Sequence, residues 1–206
     1  MKCKYGINKD FQKYIIRGEK TEKEKLGVFV DAVLAIIMTI LVLKLEKPSA
    51  PTFEAIWELK MNFFAYTLSF FWLGTFWINI HNQWGRIKYV SKNVVWWSII
   101  VLFFTSFFPY ATSFVSSNFY SVAPQIFYGI VVFGVTFSAW NMWGELAKAN
   151  KEIEKEIAFR KKVLRGDIAL KILGFILTLT IYPPAVTISV LVTMSYILWF
   201  QLRSEI

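Results

Sequence analysis

The run KEKLGVFVDAVLAIIMTILVLKLEKP, Lys23 to Pro48, constrains this chain more than any other feature, because Leu26–Leu45 within it is almost wholly apolar. At ~1.5 Å of rise per residue, about twenty helical residues cross a hydrocarbon core ~30 Å thick. Five more apolar runs follow: Trp57–Ile80, Val94–Val115, Ala123–Trp143, Ile168–Tyr182 and Ala185–Leu202. Hydrophobic residues make up 56% of the chain, too many for a soluble domain with an ordinary charged fraction. Lipid offers no partner to open backbone groups, so spans of this length must be helices. The expected fold class is all-α: an integral, multi-pass membrane protein of six transmembrane helices in one domain, residues 1–206.

Prolines mark the expected breaks. Pro109 should kink the third span, Pro124 enters the first turn of the fourth, and Pro183-Pro184 separates the fifth from the sixth. A single broken helix is the alternative for that last pair. The fifth run is short, and Lys171 is expected to fit it by snorkelling.

Basic residues set the orientation. Lys2, Lys4, Lys9, Lys13, Arg17, Lys20, Lys23 and Lys25 precede the first span. Arg86, Lys88 and Lys92 fill the second connection, and Lys148, Lys151, Lys155, Arg160, Lys161, Lys162 and Arg165 the fourth. The third and fifth connections have none, and the first holds only Lys47. Both termini, including an N-terminal tail over 1–25, are therefore expected on the cytoplasmic side. Trp84, Trp96, Trp97, Trp140, Trp143 and Trp199 stand near span ends, as interfacial aromatics do. The segment at about 145–165, ELAKANKEIEKEIAFRKKVLR, reads as a helix continuing from span four into the cytoplasm, with Glu and Lys pairing along one face.

The net charge of +9 belongs to this topology rather than to nucleic acid, since the cations lie between apolar spans. Cys3 is the single cysteine, which excludes an internal disulfide. The late, long first run does not resemble a cleavable signal peptide. His81 alone cannot build a multi-histidine metal site, and no serine, Ser69 and Ser98 included, lies in a nucleophile-elbow context. Walker and dinucleotide fingerprints are missing, as is a T-V-G-Y-G filter. An enzyme is not expected, no cofactor is implied, and the remaining classes are channel, secondary transporter and membrane scaffold.

A carboxylate at the centre of a membrane helix costs ~2.5–3.5 kcal/mol, and less near its ends. Asp31 lies about five residues, ~8 Å, into the first span, in the inner leaflet. The second span runs back and ends FWINIHNQW, which brings His81 and Asn82 to the same depth. Depth alone thus permits an Asp31–His81 contact, and Asn79 and Asn82 extend a possible interhelical network. Such a network fixes packing; a proton relay or ion site is the functional alternative. Lys25, six residues before Asp31, lies off its helical face.

Beyond Asp31, Ile36, Ile40 and Leu43 follow i, i+4, i+7 spacing, with Thr39 at the margin of their face. Periodicity does not choose between a packing stripe and a hydrophobic constriction that gates by dewetting.

FVDAVLAIIMTILVL resembles the first-helix signature of the transmembrane protein 175 family, the lysosomal potassium channels and their prokaryotic relatives. That signature reads approximately R-x-x-x-F-S-D. Phe29 and Asp31 match its F and D, Val30 replaces the serine, and Lys25 stands at the arginine. Ile36 takes the position resembling the family's narrowest pore point, and Thr39 that of a pore threonine associated with potassium preference. His81 and Asn82 in FWINIHNQW resemble the Trp/His pattern closing the family's second helix. The chain has the length of one six-helix unit, the prokaryotic form.

The resemblance implies a homotetramer whose first helices line a central pore, in the plasma membrane, conducting potassium. Lys25, Phe29, Asp31, His81 and Asn82 would form the structural motif. Potassium would pass near Ile36, Thr39, Ile40 and Leu43. Val30 removes a hydroxyl from the motif, and Lys25 loses a bidentate donor. Lys44, near the outer end of the pore helix, would place positive charge at the mouth unless it snorkels away from the axis, which is the favoured reading. The competing reading is a proton-coupled transporter using Asp31 and His81, although the chain lacks the inverted repeat of broken helices such transporters use.

Overall fold

The computed structural model describes the backbone of residues 9–204 and the side chains of residues 22–199. Cys3 and the first cations of the tail lie outside the described residues. Eight α-helices occur among those described: α1 Lys9–Leu43, α2 Phe53–Glu58, α3 Lys60–Trp84, α4 Lys92–Ser106, α5 Phe108–Ser117, α6 Val122–Ala149, α7 Glu154–Thr180 and α8 Ala185–Ser204.

Local chemistry sets the breaks. The short α2 starts where the Thr52 hydroxyl accepts from the Ala55 N–H at 3.3 Å, and α4 starts on the equivalent bond from Val94 to Ser91. The third span is broken at Phe107, and Pro109 occupies the first turn of α5. Proline has no N–H to give the preceding turn, so the chain restarts its helix just before it. After Thr180 the chain turns through Pro183-Pro184, and α7 and α8 pack against each other as two helices rather than one broken helix. The Thr178 hydroxyl holds this turn, donating to the Pro183 carbonyl at 2.9 Å and accepting from the Val186 N–H at 3.0 Å.

The expected helix from span four through Arg165 does not form as one piece. It stops at Ala149, passes through Asn150 and a single 3-10 turn at Lys151–Ile153, and restarts as α7. Asn150 supplies the reason. Its carboxamide accepts from the Lys88 and Tyr89 N–H groups at 2.8 and 3.0 Å and donates to the Tyr89 carbonyl at 2.9 Å. A side chain that satisfies another loop's backbone terminates its own helix there. The chain then doubles back, so the cytoplasmic segment and the fifth apolar run share one helix, α7.

α6 is the central helix, in contact with α4, α5, α7 and α8, while α1 packs on α3, α4 and α5. Gly134 and Gly174 permit the closest approaches: a methyl group at either would collide with Phe104 of α4 or Ser189 of α8. Trp72 of α3 stacks on Phe108 of α5 with centroids 5.0 Å apart, and Phe108 meets Tyr128 of α6 edge-on at 6.0 Å. Among the described residues, four helical stretches are long and apolar enough to cross a membrane: Glu22–Leu43, Lys60–Trp84, Lys92–Ser117 and Val122–Ala149. Ala185–Trp199 is a shorter apolar helix.

Lys171 does not snorkel. It is 2% exposed, donating to the Thr136 hydroxyl at 2.8 Å and paired with Asp167 one turn earlier on α7. Its ammonium also lies 5.6 Å from the centroid of the Trp72 ring. Packing turns this face of α7 inward, and the long side chain reaches polar partners there that it would otherwise seek at the membrane surface.

Candidate functional site

α1 carries two distinct faces. Leu26, Val30, Leu34, Ile37 and Leu41, spaced four, four, three and four apart, form its buried stripe. In its most apolar stretch only 28% of residues are buried, against 61% for α6, so most of that stretch is open to lipid or to another chain. At 3.6 residues per turn Thr39 stands roughly opposite the buried stripe. Ile36 is 58% and Leu43 78% exposed, Thr39 is exposed with them, and Ile40 is half-buried at the flank. The open face is therefore centred nearer Thr39 than the spacing of Ile36, Ile40 and Leu43 implies.

The Thr39 hydroxyl donates to the Ile36 carbonyl at 2.7 Å. With its proton committed to the backbone, the oxygen presents lone pairs outward. It is the one side-chain acceptor on an otherwise apolar surface formed by Ile36, Val42 and Leu43.

Behind this face, Asp31 is held from α3. The Trp77 indole N–H donates to Asp31 Oδ1 at 2.8 Å, and His81 Nδ1 lies 3.6 Å from Oδ2. One helical turn apart on α3, the two rings approach to 5.0 Å. The depth argument thus correctly brings Asp31 to His81, but the direct bond is the one from Trp77. A charge-assisted hydrogen bond is worth ~1.5–3 kcal/mol, comparable to the cost of placing the carboxylate in the span. The helix signature FWINIHNQW contained the signal: Trp77 and His81 are i and i+4.

The two asparagines are placed differently. Asn79 donates to the Thr75 carbonyl and accepts from Arg160 at 3.2 Å, and Asn82 is exposed. Lys25 is exposed and makes no ion pair among the described residues, whereas Lys23 reaches the Ile87 carbonyl at 2.7 Å and ties α1 to the loop after α3. Phe29 is 52% exposed on the open side of α1, and Val30 is 2% exposed in its core stripe, so the serine it replaces would be buried here. Lys44 follows α1 and is exposed.

Below the Asp31 cluster, a second network braces the ends of α3 and α7. Arg86 bonds Glu156 at 2.6 Å, Arg160 lies 3.6 Å from the same carboxylate, and Lys88 pairs with Glu152 at 2.7 Å. Burial pulls the Glu156 carboxyl upward, but the Arg86 bond and charge, with the Arg160 charge, outweigh it and hold the group below its ordinary value.

Apolar helices of spanning length, charge gathered at their ends and polar side chains partnered between helices define a multi-pass α-helical membrane protein. Residues 25–109, from the start of the Asp31 motif to Pro109, match the model of the family described as the endosomal/lysosomal potassium channel TMEM175. A potassium channel of Chryseobacterium sp. strain P1-3 is 34% identical over 108 residues, about half of either protein: 52% of this chain and 56% of that one. Potassium channels of Streptomyces collinus and Chamaesiphon minutus are 23% and 24% identical, over 76% and 91% of this chain and 81% and 97% of theirs. The crystal structure of a lysosomal potassium-selective channel TMEM175 homolog from Chamaesiphon minutus superposes with a TM-score of 0.73 at 21% identity, covering 90% of this chain and all of that one. Over residues 25–109, which carry the Asp31 motif, the chain is thus similar to the family of endosomal/lysosomal potassium channels, and its fold is similar to that of a solved member.

Proposed function

We propose that this protein is the subunit of a potassium-preferring cation channel, a homotetramer in which α1 of each copy lines a central pore. The observation that carries the reading is the open face of α1, apolar except for the outward-facing oxygen of Thr39. Four copies around an axis would turn this face inward, with Ile36 and Leu43 forming a hydrophobic constriction and Ile40 at its flank. A constriction of this kind passes ions only when wetted. The four Thr39 oxygens would replace part of the hydration shell of a cation crossing it. Potassium is the permeant ion because the relatives carry that name.

Around this pore the subunit has six spans. The apolar half of α7 and the whole of α8 add two to the four long apolar stretches. Both termini face the cytoplasm, by the distribution of Lys and Arg, and the plasma membrane is the expected location. Asp31, Trp77 and His81 hold α1 in its azimuth, and Phe29, at the base of the open face, faces the neighbouring copy.

The Asp31–His81 approach favours a second reading, proton-coupled transport, because the pair is titratable and partly exposed. Reconstitution separates the two. Vesicles with opposed potassium and sodium gradients should give an electrogenic flux whose reversal potential follows potassium and ignores a pH gradient. Strict coupling to protons would overturn the channel reading.

A further inference from the structure

The elbow between α6 and α7 contains a cleft of about 490 Å³ lined by Gly144, Ala147, Lys148, Lys151, Glu154, Ile157, Ala158 and Lys161. Trp140, Gly144 and Lys148 recur every four residues along one side of α6. Glu154, Ile157, Ala158 and Lys161 face them from the first two turns of α7. The floor is apolar, with Ile157 fully buried and Ala147 and Ala158 beside it. The rim is cationic.

The three lysines are held differently. Lys148 is matched to Glu145 at 2.6 Å, and that carboxylate also accepts from Asn93 of α4 at 3.0 Å. Lys151 is exposed and has no carboxylate partner among the described residues. Lys161 has none either; its ammonium lies 5.1 Å from the centroid of the Trp140 ring, in space left by the missing side chain of Gly144. A cation pinned over an aromatic face keeps N–H groups free for an anion. Glu154 is the one carboxylate lining the cleft, so three lysines leave it positive.

Trp140 stands in the last apolar turns of α6, where an indole marks the membrane boundary, with the Lys161 ammonium over its ring and Lys148 and Lys151 more than two turns further on. An anion alone would need the rim and not the floor. An amphiphile would need both. We infer that this elbow is a binding site for an anionic phospholipid, its phosphate taken by Lys151 and Lys161 and its glycerol end lying on Ala147, Ile157 and Ala158 toward Trp140. Basic pockets between helix ends on the cytoplasmic side hold lipid headgroups in this way. The inference uses the proposed orientation only to place the lipid in the inner leaflet.

Native mass spectrometry of the full-length protein titrated with phosphatidylglycerol, with phosphatidylcholine as the neutral comparison, tests it. Replacing both Lys151 and Lys161 by Gln should weaken phosphatidylglycerol binding about 30-fold, and Lys151→Gln alone, at an exposed position in the 3-10 turn, about 5-fold. Lys155→Gln with Lys162→Gln removes the same charge outside the cleft and should leave binding unchanged. Equal losses in the two pairs would mean diffuse charge attraction and overturn the site. So would unchanged binding in the cleft variants. Displacement of the lipid by soluble glycerol phosphate at equal concentration would overturn the lipid assignment in favour of a bare phosphate site. Potassium flux is measured separately in vesicles of the same protein; its absence with lipid retention intact counts against the channel reading and leaves the lipid site standing.

Discussion

The Trp77 indole and the Asp31 carboxylate are joined by a 2.8 Å hydrogen bond across α1 and α3, while His81 stands 3.6 Å from the other carboxylate oxygen. The shorter bond carries the expectation. Trp77→Phe keeps an aromatic ring but removes the indole N–H and strands the acceptor, at ~1.5–3 kcal/mol, whereas His81→Ala removes a longer, partly exposed contact worth about 1 kcal/mol or less. Thermal denaturation in detergent should rank Trp77→Phe as the more damaging, with a corresponding loss of assembled protein on size-exclusion chromatography. Equal stability in the two variants would show that the indole bond does not hold α1.

Asp167 and Lys171 are each about 3% exposed, one turn apart on α7. Removing one partner leaves the other charge buried, so Asp167→Asn or Lys171→Met should each cost ~3–5 kcal/mol and depress folded yield. The double replacement Asp167→Leu with Lys171→Met should recover most of that loss, since an apolar pair of similar volume is often neutral. Folded yield by fluorescence-detected chromatography reads both. A double variant as poor as the sum of the singles would mean that the charges serve separate partners.

Ile36 and Ile37 are adjacent, yet one is 58% and the other 4% exposed. Under the pore reading, Ile36→Asn wets the constriction and raises cation flux at least about tenfold, equivalent to ~1.4 kcal/mol off the barrier. Ile37→Asn instead places an amide in the core between helices and should lower stability by ~1–3 kcal/mol with no gain in flux. Flux assays on vesicles normalised for protein content distinguish the pair. An unaltered flux in Ile36→Asn places that residue off the conduction path.

Glu156 sits below its ordinary carboxyl value because of the Arg86 hydrogen bond and charge and the Arg160 charge. A lowered folded-state value means the contribution is complete above the unfolded carboxyl range and is lost as pH falls through the folded value. Stability measured from neutral pH down to about pH 3 should therefore fall less steeply in Glu156→Gln than in the parent protein, with the curves converging at the acid end. Parallel curves across that range would show that the Arg86 bridge is not what acid removes.

Axial position was legible along the chain; azimuth was not. The apolar runs, the prolines and the cations at run ends located the apolar stretches, although α1 already begins at Lys9 and α7 at Glu154, well before the runs they carry, and the short α2 went unsignalled. Asp31 and His81 met because equal depth follows from counting residues along two antiparallel helices at a constant rise. Trp77 could have been named by the same count, one turn before His81, but a tryptophan near a span end reads first as an interfacial anchor.

The direction each face turns depended on neighbours distant in sequence. Lys171 is reached by Trp72 and Thr136 from two other helices and lies inward, where a short run considered alone suggests a snorkelling lysine. Thr39 moved from the margin to the middle of the open face because Leu26, Val30, Leu34, Ile37 and Leu41 were the residues that packed. The elbow at Asn150 exists because its carboxamide completes the backbone of the 88–89 loop, a partner invisible in the run of Glu and Lys around it. Membrane class, helix order and the shared axial level of Asp31 and His81 were determined by the sequence alone, since they follow from hydrophobicity and rise per residue. Which sides of those helices meet, and so which face of α1 is left open, was decided by close packing among helices, an interaction that a one-dimensional pattern does not contain.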